Sequence, residues 1–246
     1  MAGLARARGG RVTLRVSYFV PPAPLLAAQE SGSLDEIELI ETRTSGSPAQ
    51  LDGLLSGELD VVVTAIDNLF AWVDAGADAV IVGQVEATTP MGIYADEGFG
   101  TLSDLRAARF AVDALTNGFA LVGRYLLHQA STEVEYVEVG GVAKRLDALI
   151  DGSADATLLG PPFDEMARTA GLHEVANVQR EFPAFPGQGL IVRRALLGTS
   201  ELVAFLSALR ANGLLDVDPA GLDLLIRIRD ELGLLPAGID LHELSV

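Results

Sequence analysis

The sequence predicts an α/β fold of two similar lobes, each a mostly parallel sheet flanked by helices, joined by two crossing strands. Three observations predict it. A ten-residue segment recurs at a fixed offset, strand and helix signals alternate through both halves, and two strand-like stretches carry the chain from one half to the other and back. Alternation of strands and helices builds parallel sheets covered by helices, and a repeat of the whole unit builds two of them.

The recurring segment runs from Leu51 to Asp60 and again from Leu146 to Asp155, an offset of 95 residues. At the same offset Ala75-Gly76 falls on Ala170-Gly171, Gly46 falls on Gly141, and the strand-like Val12–Tyr18 falls on Ala107–Asp113. Within each copy the reading is the same. Leu51, Leu54 and Leu55 share a helical face from about Pro48 to Leu55, and Gly57 follows as a left-handed stop. Asp60 then opens a β-branched run, Val61-Val62-Val63-Thr64, which suits a strand buried on both faces.

Taken in order, the first lobe reads as strand 12–18, helix 22–30, strand 36–43, helix 48–56, strand 60–64, helix 67–75 and strand 79–85. A crossing segment, Thr88 to Asp96, leads to strand 109–113, helix 118–130, strand 134–139, helix 142–151, strand 155–159, helix 163–170 and strand 174–178. A return crossing, Gly187 to Val192, precedes helices 200–212 and 219–232. The expected division is 1–88 plus 190–246 for lobe one and 89–189 for lobe two, with a ligand cleft between them. No Ser/Pro-rich linker separates the lobes, so the hinge is expected to be two adjacent strands.

Composition narrows the function. The 246 residues carry 17 Lys+Arg against 34 Asp+Glu, a formal charge of −17, with Lys144 the single lysine. A nucleic-acid face needs clustered cations, so no nucleic-acid partner is expected. The chain has no cysteine, which excludes disulfides and thiolate metal sites. His128, His173 and His242 lie far apart in sequence, so neither metal nor cofactor is expected. No run reaches the 18 or so apolar residues that span a bilayer, so no membrane insertion is expected. The arginines near Met1 lead into a strand-like pattern and not into an apolar leader. As written the chain therefore reads as cytoplasmic, and a trimmed leader would make it extracytoplasmic.

Three further motifs carry a resemblance. Leu-x-x-Gly-x-x-Asp occurs at Leu54–Asp60 and Leu149–Asp155, each followed by a helix and Ala-Gly. Thr101-Leu102-Ser103-Asp104-Leu105-Arg106 precedes the strand Phe110-Ala111-Val112, and Gly160-Pro161-Pro162-Phe163 forms a post-strand proline loop. Over roughly residues 12 to 215 the chain resembles the substrate-binding proteins of nitrate, taurine and alkanesulfonate ABC importers. The resemblance implies the type II periplasmic-binding-protein fold. It extends to thiamine-precursor-synthase-like and chorismate-dehydratase-like enzymes on the same scaffold. The cysteine-rich motif of the pyrimidine-precursor synthase has no counterpart here.

In open parallel sheets ligands bind beyond the carboxyl ends of the strands, where helix N-termini offer free N–H groups. That rule selects Tyr18, Phe19, Thr44, Ser45, Gly46, Ser47, Thr64, Asp67 and Asn68 from lobe one. From lobe two it selects Asp113, Thr116, Asn117, Gly118, Gly141, Gly160, Pro161 and Phe163, with Thr88 and Thr89 at the back of the cleft. Thr44 to Ser47 can converge hydroxyl and backbone donors on an anion, or simply cap a helix through Ser45 or Ser47. Tyr18 and Phe19 read as an aromatic wall, or as aromatics packed beneath Pro21-Pro22. Trp72 reads as core packing, and His128 as a cation at a helix C-terminus.

Two functions follow. One is a binding protein that closes on a small, anionic or aromatic organic molecule, with an ABC permease as partner if exported. The other is a cofactor-independent lyase, decarboxylase or isomerase on the same scaffold. There Asp113 and Asp67 would act as an acid–base pair, and Lys144 as an anion contact or Schiff-base amine. N-capping by Asp67 and a solvated Lys144 are the plain alternatives, and Arg145 and Arg43 read the same way as Lys144.

Overall fold

The computed structural model describes residues 13–44, 46–116 and 118–246. Lobe one opens with β1 (Thr13–Tyr18), α1 (Ala23–Glu30), β2 (Glu38–Arg43), α2 (Ser47–Ser56), β3 (Val61–Ala65), α3 (Asn68–Asp74) and β4 (Ala79–Gln84). The chain then crosses as β5 (Gly92–Ala95), makes a 3-10 turn at Leu102–Leu105, and builds β6 (Arg109–Val112), α4 (Gly118–Gln129) and β7 (Glu135–Glu138). Lobe two continues with α5 (Val142–Ile150), β8 (Ala156–Leu159), α6 (Phe163–Thr169), β9 (His173–Asn177) and α7 (Val178–Glu181). The chain returns as β10 (Gln188–Arg193), with a 3-10 turn at Arg194–Leu196, and ends in α8 (Ser200–Ala211) and α9 (Pro219–Glu231).

The two sheets have the same topology. Their orders are β2-β1-β3-β10-β4 and β7-β6-β8-β5-β9. In each, one strand runs antiparallel to its neighbours, and that strand is the one donated by the crossing: β10 between β3 and β4, and β5 between β8 and β9. The connecting segments lie side by side. Val85 N–H donates to the Gln188 carbonyl, Thr89 N–H to that of Phe185, and Val178 N–H to that of Met91.

The repeat has a physical basis at its strand starts. Asp60 accepts the backbone N–H and guanidinium of Arg15 at 2.7–3.0 Å, and Asp155 accepts the same groups of Arg109 at 2.5–3.0 Å. Each clamp ties the first strand of a lobe to the third. The equivalence of Arg15 with Arg109 corrects the alignment by one residue, since the first strands match at an offset of 94. A one-residue register shift exchanges the faces of a strand, so Asp113 corresponds to Phe19 and not to Tyr18. Gly57 and Gly152 both adopt left-handed φ, 76° and 74°, where a side chain would be strained.

One expected helical face is also revised. Leu55 is 50% exposed, and α2 buries Gln50, Gly53 and Leu54 instead. The turn after Gly57 folds Leu59 back onto the helix, and only a glycine at 53 leaves room, because a Cβ there would lie 2.5 Å from Leu59 Cδ1.

Three apolar clusters result. One fills the outer face of lobe one around Val16, Leu25 and Phe205, and a small one the outer face of lobe two around Leu146 and Leu159. The largest runs through both lobes, from Ile66 and Phe70 to Phe110 and Leu121, and includes Leu222, Leu225 and Ile228 of α9. The C-terminal helix thus packs across the lobes: Arg229 binds Asp67 of lobe one, and Glu231 accepts from Tyr125 Oη of lobe two at 2.9 Å.

Candidate functional site

The segments that follow β3 and β6 meet, and the lobes touch there. Asn68 opens α3 at the end of β3. Its Nδ2 donates to Thr64 Oγ1 at 2.9 Å, which fixes the carboxamide. Its Oδ1 accepts the N–H of Gly118, the first residue of α4 in the other lobe, at 3.2 Å. Gly118 makes this approach possible: a Cβ would lie 2.9 Å from that of Ala65 and 3.1 Å from that of Asp67.

Other lobe-one candidates are committed within the fold. Tyr18 points into the outer cluster and donates to Glu41 Oε2 at 2.6 Å. Burial and that hydrogen bond push its phenol up to about 12. Phe19, by contrast, stands 41% exposed just past β1. Thr44 Oγ1 donates to the Gly46 carbonyl at 2.7 Å and accepts the Gly46 N–H at 3.1 Å. Gly46 holds the N-cap of α2, so Ser47 is the first helical residue and not the cap. Ser45 lies outside the described residues.

Asp67 is buried in a two-pronged ion pair with Arg229, at 2.8 Å to Nε and 2.6 Å to Nη2. The Arg229 guanidinium lies 5.0 Å from the Phe70 ring centroid. Asp67 precedes α3 but makes no capping bond, so its burial is explained by the ion pair and not by capping.

On the crossing segment, Thr88 is half-buried; its Oγ1 has no partner among the described residues, while its carbonyl accepts from Gln179. Thr89 is buried and donates to Glu86 Oε1 at 3.3 Å. Burial raises the Glu86 carboxyl above its ordinary value, against the pull of the Thr89 hydroxyl and the Gln188 amide.

In lobe two, Asp113 is half-buried just past β6. Burial pushes its carboxyl up, opposed by the charge of Arg145. Thr116 and Pro161 are exposed, and Asn117 lies outside the described residues. Gly160 packs on the crossing segment, where a Cβ would meet the Pro90 carbonyl at 2.9 Å. Phe163 turns away to join the outer cluster of lobe two. Gly141 caps α5 without a side chain, and Lys144, in the first turn, is exposed.

Arg145, next to Lys144, is not the solvated surface cation that the sequence reading makes of it. It is 7% exposed, and its guanidinium donates to the Leu158 carbonyl at the end of β8. The signal was present in the repeat, because Arg145 falls on Gln50 at the offset of 95. Among the described residues no group of three His, Asp or Glu side chains could hold a metal ion, and no helix is long and apolar enough to cross a membrane.

No protein-family model and no curated protein matches this sequence. Solved structures do match its fold. One is the zinc-bound ligand-binding component of an ABC-type import system from Staphylococcus aureus, at 16% identity, 96% of this chain, 99% of that one and TM-score 0.74. Another is the periplasmic aliphatic sulphonate binding protein SsuA from Escherichia coli, at 16% identity, 95% and 92% coverage and TM-score 0.74. A third is PhnD1 from Prochlorococcus marinus in complex with methylphosphonate, at 13% identity, 90% and 98% coverage and TM-score 0.69. The chain has the two-lobed periplasmic-binding-protein fold that its sequence predicts.

Proposed function

We propose that this protein binds a small organic molecule between its lobes and holds it by hinge closure. The observation that carries this reading is the bond between the lobes from Gly118 to Asn68, made by strand-end segments of two separate sheets that the paired crossing segments join. Rigid-body closure about such a hinge buries a ligand between opposed helix N-termini. The solved neighbours described as binding components of import systems support the same reading. An ABC permease is the partner it implies, and a location outside the cytoplasmic membrane fits that partner.

The catalytic reading has less support in the geometry. Arg229 occupies both carboxylate oxygens of Asp67, so Asp113 has no second free carboxylate opposite it. Lys144 is exposed, and a Schiff-base amine needs a desolvated setting to be neutral at pH 7.

Native mass spectrometry of freshly purified protein, with denaturing release of whatever is retained, tests the proposal. A retained organic molecule that is unchanged on incubation and contracts the chain in small-angle scattering is the expected result. Conversion of that molecule into another would replace binding with catalysis.

A further inference from the structure

The second helix of each lobe sends one polar side chain beneath the strand ends, and the two lobes use different residues for it. In lobe one the Gln50 amide donates to the carbonyls of Ser17 and Val63, at 3.4 and 3.1 Å. A neutral residue therefore meets the structural need. In lobe two Arg145 takes this place. It donates through Nη1 to the carbonyl of Leu158, the counterpart of Val63, and at 3.4 Å to the Thr157 hydroxyl. The carbonyl that corresponds to Ser17, that of Ala111, is already taken by the Thr157 hydroxyl at 2.7 Å.

Arg145 thus brings a full charge and more donors than the strand ends can accept. It is nine-tenths buried, and its Nε has no acceptor. A buried cation without a hydrogen-bonded counter-charge is costly, and that cost has to be offset by something the charge meets. Asp113 acts on it through space, but no ion pair joins the two among the described residues. Beside Arg145 the nine-residue helix α5 begins at Gly141 with no side-chain cap, so its first N–H groups point the same electrostatic way.

We infer that lobe two carries the acid-recognition point of the cleft, with Arg145 and the start of α5 taking a carboxylate, sulfonate or phosphonate group of the ligand. The inference rests on the cleft-binding reading and moves the anion site from Thr44–Ser47, where the Thr44 hydroxyl is spent on Gly46, to the opposite lobe.

The test is calorimetric titration of the full chain with acetate, methanesulfonate and methylphosphonate, and with acetamide as a neutral shape control. The anions bind and acetamide does not. Arg145→Gln, which installs the residue lobe one already uses, weakens the anions at least about tenfold, the scale of a charge-assisted hydrogen bond. Arg227→Gln, which removes an exposed cation of α9, leaves them unchanged. Asp113→Asn tightens them by removing a like charge. Equal binding of acetamide and acetate overturns the inference on the unaltered chain, whatever the variant's folding. So does unchanged anion affinity in a folded Arg145→Gln, or an Asp113→Asn loss as large as that of Arg145→Gln, which would mean the charge serves Asp113. A neutral molecule that contracts the chain would sink this inference and leave the cleft reading standing; a chain that no ligand contracts would sink the cleft reading.

Discussion

Asp67 and Arg229 lie 162 residues apart in sequence and meet in the interior, both nearly solvent-free. Breaking such a pair from one side leaves the other charge buried without a partner. Arg229→Met should therefore lower the unfolding free energy by about 3–5 kcal/mol in urea denaturation. The double variant with Asp67→Leu should recover most of that loss. A recovery near zero would mean that Arg229 acts through its stacking on Phe70 and its bond to the Leu234 carbonyl. Asp67 shows the limit of reading single residues: its position after β3 was legible, its partner was not, because a pairing over that separation leaves no periodic trace. Arg145 is the opposite case. Its neighbour Lys144 drew attention as the only lysine, whereas the fold exposes the lysine and buries the arginine.

At the scale of elements, the start of α4 lies where the lobes approach most closely through backbone. Its first N–H reaches Asn68 of the other lobe, and a Cβ at 118 would lie 2.9 Å from that of Ala65. Gly118→Val should hold the lobes apart, seen as a larger radius of gyration in small-angle scattering and weaker ligand retention. Asn68→Ala should shift the same quantities less, since it removes one bond of about 1 kcal/mol without adding bulk. Equal radii for both variants and the parent would show that the contact does not govern closure. The helices and strands themselves were largely legible, because apolar periodicity and glycine stops act locally. The face of α2 was not: Leu55 fits the helical spacing yet points to solvent, because the strand order places Gln50 and Leu54 against the sheet.

For the whole molecule, two sets of carboxylates act in opposite directions with pH. Hydrogen bonds from Arg109 hold Asp155 below the ordinary 3.8. At Asp60 burial opposes ionisation, but Arg15 and Arg193 outweigh it and the carboxyl is again lowered. Lowered groups stabilise the fold fully above the ordinary value and lose that contribution as pH falls through their folded values. Burial raises Glu86 and Asp113, so the ionised forms cost stability at neutral pH, and that cost is relieved as pH falls through their raised folded values toward the ordinary carboxylate values. The net charge of −17 adds self-repulsion that also eases on mild acidification. The melting temperature should rise as pH falls from 7 through the raised values of Glu86 and Asp113, and drop below about 3.8, where the unfolded chain takes up protons that the Asp60 and Asp155 clamps still refuse. A melting temperature that falls steadily from pH 7 downward would show that the clamps dominate throughout.

The sequence by itself determined the repeat, the alternation that makes two helix-covered sheets, the crossing segments and the absence of cysteine chemistry. These follow from local propensity, from apolar patterning and from a duplication visible at one offset. The tertiary structure alone decided between which strands each crossing segment inserts and that it runs antiparallel to them, that α9 straps both lobes, that Tyr18 serves the core while Phe19 faces outward, and that Arg145 carries the buried charge. Each of those depends on contacts between segments far apart in the chain, where burial and charge pairing are set by packing and not by neighbouring residues.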